Sequence, residues 1–252
     1  MVKIRLIPNI LLQNGRMVKS KQFSSYRDVG NPRTVAKIYD AQRADELIFL
    51  DINASSESRS LLLDVVTKVA EECFIPLSVG GGIRTVEEAG TILKRGADKV
   101  VINTHAILRP KLVREISDKF GRSTVIVSID YKRNSGGNNE VFIRGGKQAT
   151  GLDPVALAKQ MEAMGAGEIF LTSIDREGTM SGYDLPTIRL VAESLTIPVI
   201  ASGGVATVQD LVDGVLIGKA SAVSAASIFH FTDQSIFKAH SHMRERGLPV
   251  RR

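Results

Sequence analysis

Cysteine is almost missing from this chain; Cys73 is the only one. That excludes an internal disulfide and a cysteine-rich zinc site. Tryptophan is absent and aromatic residues make up 5% of the 252 residues. The dense basic run with interleaved aromatics that marks a nucleic-acid binder is not there. Nor is there an unbroken apolar stretch of roughly eighteen residues, the minimum for a membrane-spanning helix. Met1 to Leu12 is apolar but carries Lys3, Arg5, Pro8 and Asn9. It lacks the apolar core and small-residue cleavage site of a signal peptide, and reads as a first strand. A cytoplasmic protein is expected, with no nucleic acid and no membrane as partner.

Excess charge of one sign is also small. Lys plus Arg number 33 and Asp plus Glu 27, a net +6 that suits anionic small molecules. Hydrophobic residues make up 43% and charged residues 24%, too apolar for a disordered chain. The length is enough for a full core without covalent staples.

Short aliphatic runs recur at Ile4–Leu12, Glu46–Ile52, Pro76–Val79, Lys99–Asn103, Thr124–Asp130, Glu168–Ser173, Pro198–Ser202 and Ser221–Ala226. Helical periodicity fills the gaps at Pro32–Arg43, Ser60–Glu72, Val86–Arg95, Pro110–Phe120, Pro154–Met164, Leu185–Ser194 and Val208–Leu216. Asn31 and Asp153 precede a proline and suit helix caps. This alternation predicts an α/β chain folded as a single closed (β/α)₈ barrel over residues 1–252. The competing architecture is an open doubly wound sheet.

The chain also echoes itself at a shift of 122, as Ile75-Pro76 and Ile197-Pro198, Gly81-Gly82 and Gly203-Gly204, and Thr85-Val86 and Thr207-Val208 show. Two homologous half-barrels are expected, roughly 1–122 and 123–252, neither able to bury its sheet alone.

Barrel chemistry sits at the C-terminal ends of strands. Gly80-Gly81-Gly82 ends the third strand and Ser202-Gly203-Gly204 the seventh. Glycine lets backbone N–H groups close on an anion. The neighbouring strands end in Asn103-Thr104 and Ala226-Ser227, which offer further donors. Two phosphate sites follow, Gly81 and Gly82 with Asn103 and Thr104, and Gly203 and Gly204 with Ala226 and Ser227. Thr172 and Gly178 are assigned to them as well. One ligand with a phosphate at each end is expected to span the mouth; tight turns are the bland alternative.

Asp130 closes the fifth strand and faces the mouth, where a general acid or base belongs. Asp51 ends the second strand in the same way, and Asp175 follows the sixth. Lys19 lies in the long segment after strand one and is expected on a loop that folds over an anionic ligand. Cys73 lacks the surroundings of a nucleophile and reads as a core thiol. His105, His230, His240 and His242 form no ligand set, and His240-Ser241-His242 is expected to be solvated on a terminal helix. No metal and no cofactor are implied. Arg5, Glu46, Lys99 and Glu168 fall near strand starts, and a barrel gathers these around its axis as a ring of ion pairs.

The motifs ELIFLDINASS (Glu46–Ser56), VGGGIR (Val79–Arg84), GADKVVIN (Gly96–Asn103), LTSIDREGTMSGYD (Leu171–Asp184), ASGG (Ala201–Gly204) and AASIFHF (Ala225–Phe231) resemble the cyclase subunit of imidazole glycerol phosphate synthase, the HisF type. The resemblance spans essentially the whole chain. It implies an enzyme of the lyase type that uses ammonia from a glutaminase subunit of the HisH type. The family reaction converts the bisphosphate PRFAR into imidazole glycerol phosphate and AICAR, in histidine biosynthesis. It also implies that the glutaminase docks on the face holding the strand starts, and that the four charges are the ammonia gate. Catalytic roles are expected of Asp130, Lys19 and Asp51.

The chain departs from the family at strand one. The expected acid–base aspartate is Leu11, the neighbouring cysteine is Asn9, and a usual aspartate is Asn14. Leucine neither gives nor takes a proton. Little or no cyclisation is expected unless another group, such as Asp51 or an ordered water, substitutes. The departure fits a paralogue that supplies ammonia for an amidino group on a sugar in surface-polysaccharide synthesis. A catalytically inactive ammonia conduit is the third reading.

Overall fold

A computed structural model describes residues 3–52 and 59–251. Residues 53–56 of the Glu46–Ser56 motif lie outside the described residues. The strands are β1 (Arg5–Gln13), β2 (Arg16–Lys21), β3 (Ser24–Gly30), β4 (Leu47–Asp51), β5 (Leu77–Gly80), β6 (Lys99–Ile102), β7 (Val125–Arg133), β8 (Asn139–Ile143), β9 (Gln148–Ala149), β10 (Glu168–Ser173), β11 (Val199–Ser202) and β12 (Ala222–Ala225). The helices are α1 (Pro32–Ala41), α2 (Arg59–Ala70), α3 (Val86–Lys94), α4 (Thr104–Leu108), α5 (Lys111–Phe120), α6 (Pro154–Ala163), α7 (Leu185–Glu193), α8 (Val208–Leu216), α9 (Ile228–Phe231) and α10 (Ile236–Glu245).

Eight strands pair in parallel in the order β10-β11-β12-β1-β4-β5-β6-β7, and β7 pairs back onto β10. The sheet is therefore closed, with no free edge among these strands, and helices follow between them. This is the expected (β/α)₈ barrel. Helix starts obey their caps: Asn31 accepts from the Arg33 amide at 2.9 Å, and Asp153 from the Ala156 amide at 2.9 Å. No helix of the described residues is long and apolar enough to cross a membrane.

Pleating divides each strand into two faces. Leu6, Ile10 and Leu12 of β1 pack outward against the helices, beside Ala36 and Tyr39 of α1. Inward-facing Ile7, Ile48, Val101, Ile126, Phe170, Ile200 and Ala222 fill the barrel centre as a separate apolar cluster. Following the ladder registers, Asn9, Gly80, Ser128 and Ser202 form the next layer above it. The interior is thus apolar in the middle and polar towards the mouth.

Two β-hairpins decorate that mouth, and the sequence reading contained neither. β1 continues through β2 and β3 as antiparallel strands. Lys19 is accordingly not on an exposed loop: it stands on β2 and is 3% exposed. The overlooked signal is Asn14-Gly15, whose φ values of 51° and 71° make the tight turn from β1 to β2. The second hairpin, β8 with β9, follows β7 and ends near the first. A methyl at Gly146 would lie 3.0 Å from the Phe23 ring.

His240 is a further correction. It is buried, not solvated, and its Nε2 lies 3.0 Å from Asp45 Oδ2. The same Asp45 oxygen accepts from the Leu6 amide at 2.8 Å, so α10 is tied to the strand starts. A polar-looking helix hides its buried face when that face carries a histidine with a carboxylate partner. Cys73 is buried in the outer core, where burial first, then the Asp40 and Glu72 charges, raise its thiol pKa. That suits a core thiol.

Candidate active site

The floor of the barrel is a closed ring of alternating charge. Arg5 Nη1 lies 2.8 Å from Glu46 Oε2, and Arg5 Nη2 lies 2.5 Å from Glu168 Oε2. Lys99 Nζ lies 3.0 Å from Glu46 and 2.7 Å from Glu168. The Ser78 hydroxyl donates to Glu46 Oε1 at 2.6 Å. Burial pushes the Glu168 carboxyl up, but hydrogen bonding and charge from Arg5, joined by Lys99, prevail and hold it below the usual range. The four side chains point inward at the axis rather than into solvent, with Glu46 only 2% exposed.

At the other end, Asp130 is fixed by two donors. Asn103 Nδ2 donates to its Oδ2 at 3.1 Å and the Ser128 hydroxyl to its Oδ1 at 3.2 Å. Burial raises its carboxyl pKa to about 7, against the Ser128 hydrogen bond and with help from the Glu177 charge. A carboxyl poised there exchanges protons in either direction near neutrality.

Lys19 donates to the Asn9 carbonyl at 3.1 Å. Burial lowers its ammonium pKa, opposed by Glu177, and burial raises the Glu177 carboxyl pKa, opposed by Lys19. Desolvation thus disfavours the charged form of both groups, while each one's charge favours the other's. His230, on α9, accepts or donates at 2.7 Å with the Tyr39 hydroxyl, and burial plus the Lys19 charge lowers its pKa to about 3. It is a neutral ring, not a general base.

A pocket opens beside Glu177, lined by Asn9, Glu177, Gly178, Gly203, Gly204, Val205 and Ser224 to Ser227. Gly178, Gly203, Gly204, Ala226 and Ser227 therefore meet in one place. Gly178 has φ +69°, and a methyl on it would lie 2.1 Å from the Ser20 carbonyl oxygen. Only glycine lets the β2 hairpin close on this turn. Thr172 lies deeper, buried on β10 beside Asp130 in the ladder, with its hydroxyl unpartnered.

The other Gly group lies outside this pocket. Gly81 and Gly82 follow β5, while Asn103 turns inward to Asp130 and Thr104 Oγ1 accepts from the Arg144 amide at 3.1 Å. The β8–β9 hairpin thus borrows the Thr104 oxygen.

Two carboxylates stand apart from Asp130. Leu50 faces the barrel interior, so the next residue of β4, Asp51, faces the helix layer. Asp175 caps a loop: its carboxylate accepts from the Arg133 amide at 2.8 Å. The residue that sequence reasoning passed over is Glu177. It lies inside the DREG motif, and burial rather than pattern distinguishes it from its neighbours.

The family model for histidine biosynthesis protein matches residues 5–235. That span takes in the charged floor, all eight barrel strands, both Gly groups, Asp130 and the Lys19–Glu177 pair. The chain belongs to this family of (β/α)₈-barrel enzymes of histidine biosynthesis.

Proposed function

We propose that this protein is the synthase subunit of a cyclase-type pair: ammonia from a docked glutaminase enters through the floor and reacts at the mouth with a phosphate-bearing substrate. The carrying observation is the closed Arg5–Glu46–Lys99–Glu168 ring on the barrel axis. Barrel floors normally serve stability, and a buried ion-pair ring is a poor way to gain it. Above the ring lies the apolar cluster around Ile48 and Phe170. Neutral ammonia crosses such a layer at small cost, whereas ammonium would lose its hydration. Beyond it stand Asn9, Ser202 and Thr172, then Asp130.

In this reading the glutaminase covers the strand-start face. The substrate is a bisphosphate such as PRFAR, held by Gly203, Gly204, Ala226 and Ser227 at one end and by Gly81, Gly82, Asn103 and Thr104 at the other. Asp130 moves the protons. Purified protein given PRFAR and ammonium chloride is expected to release AICAR slowly. Complete lack of AICAR, with the fold intact, refutes the cyclase assignment.

Leu11 favours a second reading, in which the ammonia serves amidino-sugar formation. Its side chain stands at the mouth end of β1 beside Leu50, where it offers no proton. Glutamine-dependent transfer to a nucleotide-linked sugar, without AICAR release, distinguishes this reading.

A further inference from the structure

Asp130, Lys19 and Glu177 are all buried at the mouth, and of these three only Asp130 belongs to a barrel strand. The others arrive on separate segments that the backbone stitches together. The Gln22 amide donates to the Glu177 carbonyl at 2.8 Å, and Gly178 sits under the Ser20 carbonyl. This brings Lys19 of β2 against the turn that carries Glu177. The Glu177 amide donates back to the Ser173 carbonyl at 3.0 Å, so the turn is anchored to the end of β10.

Glu177 then lines the same pocket as Asn9 and Ser224. Asn9 is 5% exposed, yet its Oδ1 has no hydrogen-bond partner, and the Ser224 hydroxyl has none either. Buried acceptors are satisfied in nearly all folds. Two orphans on one pocket wall mark a place where a ligand donates. Across the mouth, the strand-one position that faces Asp130 from the barrel wall is Leu11.

We propose that Glu177, acting with Lys19, is the second proton-transfer group of this site, opposite Asp130. The assignment rests on the ammonia-using reading above. When ammonia condenses with a substrate carbonyl, a C–N bond forms and the C–O bond breaks. Two protons pass from nitrogen to the oxygen, which leaves as water. One carboxylate takes a proton from nitrogen while the other carboxylic acid gives one to oxygen, and a second exchange restores both. Asp130 fills one role and the Glu177–Lys19 pair the other. The Glu177 charge acts on Lys19 from β2, Asp130 from β7 and Tyr183 from the segment before α7, and the Lys19 charge acts on His230 of α9.

The test compares wild type, Glu177→Gln and Glu177→Asp with PRFAR and ammonium chloride across the neutral pH range. General acid–base groups contribute ~10²–10⁴-fold, so Glu177→Gln is expected to lower kcat by that order with little change in KM. One limb of the pH profile disappears, and Glu177→Asp restores part of the rate. An unchanged kcat and pH profile in Glu177→Gln overturns the proposal. If wild type itself leaves PRFAR untouched, the cyclase reading fails, and ¹³C carboxyl NMR decides the coupling of Glu177 to Lys19 alone. The Glu177 resonance, identified by its loss in Glu177→Gln, is expected to titrate above the ordinary carboxylate range and to move in Lys19→Met. An ordinary titration, indifferent to Lys19→Met, overturns the pair.

Discussion

Arg5 of β1 and Glu168 of β10 are 163 residues apart in sequence, and Arg5 Nη2 lies 2.5 Å from Glu168 Oε2. That contact closes the floor ring, because Lys99 and Glu46 complete the other three sides. Removing one member takes one of two partners from each neighbour and leaves the ring with an excess charge; breaking a buried pair costs about 3–5 kcal/mol. Glu46→Ala is the strongest case, since it leaves the Ser78 hydroxyl without its acceptor and leaves Arg5 and Lys99 to share Glu168 alone. Lys99→Met keeps the volume and is the milder variant.

Both variants are expected to lower stability, Glu46→Ala by roughly 3 kcal/mol in urea titrations. In the presence of the glutaminase, both are expected to lose glutamine-driven turnover while keeping turnover with added ammonium chloride. Equal loss of the two activities in stably folded Lys99→Met sinks the gate.

Asp130 predicts a pH-dependent trade between stability and activity. The folded protein holds its proton up to about 7, whereas the unfolded chain releases it near 3.8. Between these values the folded state binds more protons, so this group weakens the fold progressively as pH rises through the window. Asp130→Asn removes that penalty. The variant is expected to be inactive, and more stable than wild type by up to ~4 kcal/mol above pH ~7, a gain that vanishes below pH ~4. Denaturation at several pH values reads it directly; a constant difference contradicts a buried, proton-holding Asp130.

The barrel was legible because its signals are periodic. Aliphatic runs such as Val125–Asp130 and capped helices such as the one after Asn31 need no distant partner to be read. The floor ring was legible too, because strand starts converge in any closed barrel. What escaped depends on contacts between loops. The hairpin carrying Lys19 is too polar to look like a strand, with Ser24 to Asp28 exposed. His240 reads as surface until Asp45 is found 195 residues away. Glu177 looks like any loop carboxylate until the Lys19 hairpin lands on it.

The pocket predicts anion binding. Gly203, Gly204 and Ser227 line it with backbone and hydroxyl donors beside Gly178. Inorganic phosphate is expected to raise the melting temperature at millimolar concentration, since saturation to about 100 times Kd is worth ~2.7 kcal/mol. Ser227→Glu places a carboxylate in the same space and is expected to remove the effect at this end. A shift that persists in Ser227→Glu, Thr104→Glu and their combination places the anion elsewhere.

Leu11 is the position whose chemistry departs furthest from what the site needs. It pairs with Leu50 in the parallel ladder and with Val18 across the hairpin, and is 9% exposed. Leucine there closes the mouth with apolar surface but adds no proton donor. Leu11→Asp buries a carboxyl near Asp130, and two carboxyls in one dry site push their pKa values apart. One then keeps its proton as an acid while the other stays a base. The variant is expected to be less stable than wild type, by about 2–4 kcal/mol for the lost packing and the new buried carboxyl. It is expected all the same to form AICAR from PRFAR and ammonium chloride faster than wild type. In Leu11→Asp the demand on Glu177 falls, so adding Glu177→Gln costs less there than in wild type. A folded Leu11→Asp protein with no gain in rate shows that the missing carboxyl is not what limits this barrel.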